Sequence, residues 1–188
     1  GPHPMVLTVP RGGATRVHLP DGEAKARLVR ALLRARGEAG EELELLGTAT
    51  AALNAKERNR LRRRVGAVSP LLGLIGNLNV WENVSLPAAY HGSPPLERIA
   101  GIAQDVLGRF SAEPLALLAK LPDELGPLEQ KIAAFVRLLA AEPELAVLDA
   151  LDEGLSREEL SRISGFEAEY RARQPSGTLL YVDTKEAS

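Results

Sequence analysis

Two residues stand out for the chemistry they could do together. Lys25 follows a short strand-like run and the turn Pro20-Asp21-Gly22, and it stands at the opening of a helical pattern. Asp149 closes the apolar run Leu145-Ala146-Val147-Leu148, as an acid does at the ligand-binding edge of a parallel sheet. A phosphate site needs a Gly-rich turn whose backbone amides point inward, then a lysine, then a hydroxyl for Mg²⁺. Stretch 19–27 keeps Gly22 and Lys25 in register, but it has Leu19 for the first glycine, Ala24 for the glycine before the lysine and Ala26 for the Mg²⁺-binding hydroxyl. Glu23 adds a charge where phosphates would lie, a repulsion of about a few kcal/mol if it faces inward and is poorly solvated. Each survivor also has a plain reading. Lys25 reads as a surface lysine of a first helical turn, Asp149 as a brace for the neighbouring loop, and Gly22 as a turn residue.

The elements that must position these residues follow from periodicity. Residues 6–9 and 15–19 read as short strands, and 24–36 as an amphipathic helix stopped by Gly37 and Gly40. Residues 42–46 alternate like a strand with one wet face, and 54–64 read as a polar helix capped by Asn54. Val65-Gly66-Ala67-Val68 is a buried strand, followed by a loop rich in Gly, Asn and Pro. Residues 94–110, 115–118, 127–141 and 157–173 are helical, with buried strands at 145–148, ending in Asp149, and at 178–182. Buried runs separated by helices argue for a parallel α/β sheet.

The chain has 188 residues, 45% hydrophobic and 26% charged, with a net charge of −2. That composition excludes wholesale disorder and any global field for nucleic acid or acidic lipid. The absence of cysteine excludes disulfides and thiolate chemistry, and His3, His18 and His91 show no metal-ligand spacing, so no metal is expected. The opening residues do not read as a secretory signal, and no apolar run is long enough to span a bilayer, so a cytoplasmic chain without membrane insertion is expected. Gly1 to Pro4 read as an expression scar before a native Met5. Helix 54–64 carries six basic residues, Lys56, Arg58, Arg60, Arg62, Arg63 and Arg64. They read as a solvated face or, more sharply, as a surface for nucleic acid or anionic lipid. Acids elsewhere in the chain and the lack of an aromatic platform argue against that sharper reading.

From Pro20 to Lys185 the sequence resembles the nucleotide-binding subunit of an ABC transporter, most of all the Mla-type ATPases that work with MCE proteins in phospholipid trafficking. Three stretches carry the resemblance: Asn77-Leu78-Asn79-Val80-Trp81-Glu82-Asn83-Val84-Ser85-Leu86-Pro87, then Leu139-Ala140-Ala141-Glu142-Pro143-Glu144-Leu145-Ala146-Val147-Leu148-Asp149, then Gly154-Leu155. It implies a P-loop NTPase-like, mostly parallel sheet flanked by helices, with a small helical subdomain and reduced N-terminal antiparallel strands. The RecA-like core would span 5–76 and 126–188, and the helical subdomain 77–125.

The resemblance also implies which site positions are replaced. The lid-side glutamine falls at Pro70, the signature loop at Leu125, Gly126, Pro127, Leu128 and Glu129, and the catalytic glutamate at Ala150. The aspartate closing the following loop is Ser156, the switch histidine is Thr184, and the region before the turn offers no aromatic residue to stack on adenine. Gly22, Lys25 and Asp149 are the nucleotide-binding residues left. The implied function is a pseudo-ATPase that needs no cofactor. It would be peripheral to the inner membrane and would pair with a permease subunit or a second nucleotide-binding subunit through Trp81, Asn83 and Leu86. The competing reading is a subunit that still binds or slowly hydrolyses ATP with Mg²⁺ through a divergent site.

Overall fold

The computed structural model describes residues 6–38, 40–91, 94–111 and 113–185, so the scar assigned to 1–4 lies outside the described residues. Strand β1 (Ala14–Leu19) runs through a two-residue link into helix α1 (Gly22–Arg34). A hairpin of β2 (Glu44–Leu45) and β3 (Thr48–Ala49) precedes α2 (Ala55–Arg62) and β4 (Val65–Val68). Helices α3 (Val80–His91), α4 (Leu96–Phe110) and α5 (Pro114–Ala119) follow, all within the span read as a helical subdomain. Then come α6 (Pro127–Ala140), β5 (Leu145–Asp149), α7 (Arg157–Ile163), α8 (Phe166–Arg173) and β6 (Thr178–Thr184).

The main sheet has the order β1-β6-β5-β4, every pair parallel, as the buried runs require. Strands β4 and β5 are buried at every position, which is why their sequences run apolar rather than alternate. One face of the sheet packs Val17, Leu19, Val147 and Val182 against Val29 and Leu32 of α1 and Leu61 of α2. The other packs under α6, whose Phe135 stacks on Phe166 with centroids 3.9 Å apart, while Phe110 meets Phe166 edge-on at 4.9 Å.

Five details differ from the sequence reading. Residues 6–9 form no strand, and the 42–46 strand shrinks to Glu44–Leu45. Helix α1 stops at Ala35, which takes the left-handed conformation (φ 48°) and caps with its own N–H, ahead of Gly37. The 157–173 helix breaks in two at Ser164-Gly165, where a Cβ on Gly165 would lie 3.3 Å from the Phe110 ring. By periodicity the stretch after Val68 reads as a loop rich in Gly, Asn and Pro, and α3 begins within it at Val80. Asn79 is in fact a helix cap, accepting from the Glu82 N–H at 2.9 Å, and Pro87 is tolerated inside α3.

Candidate functional site

The site lies where β1, β4 and β5 end. Between β1 and α1 stand only Pro20 and Asp21. Asp21 is extended, and its carboxylate accepts the Ala24 N–H at 2.8 Å, the usual way a helix satisfies its first amides. Gly22 is the first residue of α1, with open space around it and no left-handed backbone, so the folded shape makes no demand for glycine there.

Lys25 and Asp149 do meet. The ammonium lies 3.1 Å from Asp149 Oδ1 and 3.2 Å from Glu153 Oε1. Asp149 is 2% exposed, and its Oδ2 accepts the Ser69 hydroxyl at 2.5 Å. Ser69 Oγ accepts the Leu71 N–H at 3.1 Å and caps the 3₁₀ turn that begins at Pro70. Asp149 Oδ1 has no well-directed hydrogen bond, so the lysine holds it by charge rather than by alignment. Burial pulls the Lys25 ammonium down, but the close carboxylates of Asp149 and Glu153 outweigh it and hold Lys25 above the usual lysine range.

Sequence reasoning missed two further participants. Lys131, on α6, donates to the Ala150 carbonyl at 2.6 Å. Burial lowers its pKa in spite of the attraction of Glu153, Asp152 and Asp149. Ser69 is the other, and a serine between a buried strand and a proline was its available signal. Ala150 is buried and left-handed (φ 53°), a conformation that costs a non-glycine residue about 1–2 kcal/mol. Ser69, Pro70, Gly73, Gln130, Lys131 and Asp149 line a cleft of about 630 Å³ beside this cluster. Arg137 holds two lining residues in place by donating to the Gly73 carbonyl at 2.9 Å and to the Leu72 carbonyl.

Of the remaining sequence-predicted residues, Pro127 borders the same cleft and the others lie elsewhere with structural partners. Gly126 precedes α6 with Pro127 at its first position, while Leu125 and Leu128 are buried in the core. Glu129 turns back to accept the Gly126 N–H at 3.0 Å and the Lys120 ammonium at 2.8 Å, and so does not stand free to face an anion. Burial pushes the Glu129 carboxyl up, and the Lys120 and Gly126 bonds outweigh it and keep the group below the ordinary range. Ser156 caps α7, and Thr184 ends β6 in register with Leu19.

Among the partner candidates, Trp81 is half-buried and packs on the core, and Leu86 is half-buried. Asn83 corrects the expectation of a partner contact. It is fully buried, its amide accepts from the Ile75 N–H at 2.7 Å, and it donates to the carbonyls of Ile75, Leu78 and Asn79. Among the described residues no three His, Asp or Glu side chains converge as metal ligands, and no helix is long and apolar enough to cross a membrane.

This is the end of a parallel sheet that carries an acid on its central strand and a lysine on the first helix. The comparisons name the class. Over 153 residues, covering 81% of this chain and 45% of the relative, it is 28% identical to the methionine import ATP-binding protein MetN of Xanthomonas campestris pv. campestris (strain 8004). Over 144 residues, covering 76% of this chain and 52% of the relative, it is 29% identical to the intermembrane phospholipid transport system ATP-binding protein MlaF of Escherichia coli (strain K12). The chain spans about half the length of these curated relatives. An ATP-binding cassette solved as a dimer in a post-hydrolysis state bound to ADP and Pi superposes with a TM-score of 0.77 at 21% identity, covering 95% of this chain and 78% of that one. No protein-family profile matches. The homologues of the chain are ATP-binding subunits of ABC transporters, and its fold is that of the ABC ATPase cassette.

Proposed function

We propose that the chain is an ABC-type nucleotide-binding subunit that does not hydrolyse ATP and serves a membrane transport complex as a structural or regulatory partner. One observation carries this reading. The cation that would receive phosphates is already neutralised by Asp149 and Glu153, and the Ala24 amide at the start of α1 is already bonded to Asp21. A triphosphate would have to displace two carboxylates to reach Lys25, with Glu23 adding a third negative charge nearby. ATP with Mg²⁺ therefore does not fit these residues. Ala26 supplies no hydroxyl for the metal, Ala150 no base and Thr184 no imidazole. Loss of one donor or base in such chemistry commonly costs a factor of about 10²–10³ in rate, and here several are replaced together.

The partner is a permease-type membrane subunit or a second nucleotide-binding subunit, and the place of work is the cytoplasmic side of the membrane, reached through that partner. Similarity to the phospholipid transport subunit MlaF supports a lipid-related cargo. A second reading, a subunit that still binds or slowly hydrolyses ATP through a divergent site, is favoured by the position of Lys25 and Asp149 at the ligand-binding end of the parallel sheet. Calorimetric titration with Mg-ATP, read beside phosphate release, separates the two. The proposal expects release at the blank level. Turnover that disappears in Lys25→Ala would overturn it.

A further inference from the structure

We propose that helices α1 and α2 together form a docking surface for an anionic phospholipid bilayer. The inference rests on the reading that the chain works beside a membrane, and it adds a direct contact that no permease supplies. Between Gly22 and Arg64 the chain carries eleven Lys and Arg against six Glu, in a molecule whose net charge is −2.

The structure sorts these cations by use. Arg58 donates to the Ala35 carbonyl at 2.7 Å and to the Leu53 carbonyl at 2.8 Å, and Arg62 donates to the Leu33 carbonyl at 3.2 Å. These bonds clamp α2 against the last turn of α1. Arg64 pairs with Glu144, and Arg27 with Glu41. Six cations remain, Arg30, Arg34, Arg36, Lys56, Arg60 and Arg63. All but the half-buried Arg30 are exposed, and none has a carboxylate within 4.0 Å among the described residues. Positions 56, 60 and 63 are spaced as one stripe of α2, and 30 and 34 as one stripe of α1. The one acid on α2, Glu57, offsets a single charge and is turned back into the Asn54 capping box. The overall charge balance therefore does not neutralise this face.

Like charges at i and i+4 destabilise a helix, although those near the two helix C-termini gain from the dipole. A dense anionic plane relieves the repulsion. The chemistry of the patch selects a bilayer surface over single-stranded nucleic acid, because no Phe, Tyr or Trp occurs before Trp81 to stack on bases. The same absence predicts contact with headgroups and no insertion.

The test is co-sedimentation of the chain with phosphatidylcholine vesicles, with and without phosphatidylglycerol. Binding is expected to the phosphatidylglycerol vesicles alone and should fade as salt shortens the screening length from about 10 Å at 0.1 M to about 3 Å at 1 M. Each cation near an anionic leaflet contributes about five-fold in affinity, so Arg34→Gln/Arg60→Gln/Arg63→Gln is expected to lose roughly 100-fold. Its melting temperature should be unchanged, because these side chains hold nothing in the fold. Equal binding to neutral vesicles, no binding to either, indifference to the triple substitution, or retention on duplex DNA in place of vesicles would each overturn the inference. Vesicle binding is read on the chain alone, so its failure leaves the transport reading to be judged separately by phosphate release and permease co-purification.

Discussion

Replacing Lys25 by methionine asks whether this lysine belongs to the fold or waits for a ligand. The side chain is 12% exposed and faces Asp149, which is 2% exposed, so the substitution strands a buried carboxylate with Ser69 as its remaining hydrogen-bond donor. Removing one partner of a buried pair costs about 3–5 kcal/mol. The second contact adds little, since Glu153 is 64% exposed and such pairs contribute about 0–1 kcal/mol. The Ser69 hydroxyl still bonds the carboxylate in the variant, which places the expected loss near the lower bound, about 3 kcal/mol. For a chain of this size that is a fall in Tm of about 6–12 °C. Because Lys25 lies above the usual lysine range, its contribution is fully present below the unfolded lysine value and is lost as pH rises through the folded one. The gap between parent and variant should therefore hold from neutral pH to about pH 10 and close above it. Calorimetry, with urea unfolding to confirm an unchanged m-value, measures it. Lys25→Met combined with Asp149→Asn should cost less than the two single losses added together. A Lys25→Met variant that melts within a degree of the parent would refute the reasoning and mark the lysine as free for an anion.

Other outcomes follow from single sites. Asn83→Ala removes a side chain that serves four backbone groups, so a loss of about 3 kcal/mol is expected, with faster amide exchange across 75–79 as the specific sign. Gly177→Ala places a Cβ 2.3 Å from the Tyr170 hydroxyl, which donates to the Pro143 carbonyl, and should cost about 2 kcal/mol in urea unfolding. The bond from Arg64 holds Glu144, and the bond from Arg171 holds Glu167, below the ordinary carboxylate range. That stability is present above the unfolded value and is lost as pH falls through the folded one, so Tm should drop on acidification, and less steeply in Arg64→Ala. Burial pushes the Tyr170 and Tyr181 phenols up to about 12, so ultraviolet titration should show them ionising later in the folded protein than in urea, with stability declining above about pH 10.

How far the sequence could be read depended on what each signal measures. Uniform burial writes itself into β4 and β5 as unbroken apolar runs, so the parallel sheet and Asp149 at its end were legible. Residues 94–110 showed their 3.6-residue period because one face of α4 is buried. Helix α3 was not legible from periodicity, since Asn79 and Pro87 punctuate loops more often than they cap or interrupt helices. At the break, Gly165 packs so closely on the Phe110 ring that a Cβ would crowd it, a contact made 55 residues away in sequence. In the site, Lys25 and Asp149 were legible from residue type and position, because a helix start and a strand end are local features. Ser69 and Lys131 were not, because only the fold brings β4 and α6 to the end of β5. Nor could the sequence tell whether Gly22 lines a cradle or begins a helix, since glycine serves both and the Asp21 cap is a matter of backbone path.

The central claim is that an internal ion cluster stands where a nucleotide would bind. Isothermal titration of the chain with Mg-ATP tests it most directly. The account expects no saturable heat at millimolar nucleotide, in the parent and in Lys25→Met alike. Saturable micromolar binding by the parent, abolished by Lys25→Met, would contradict it.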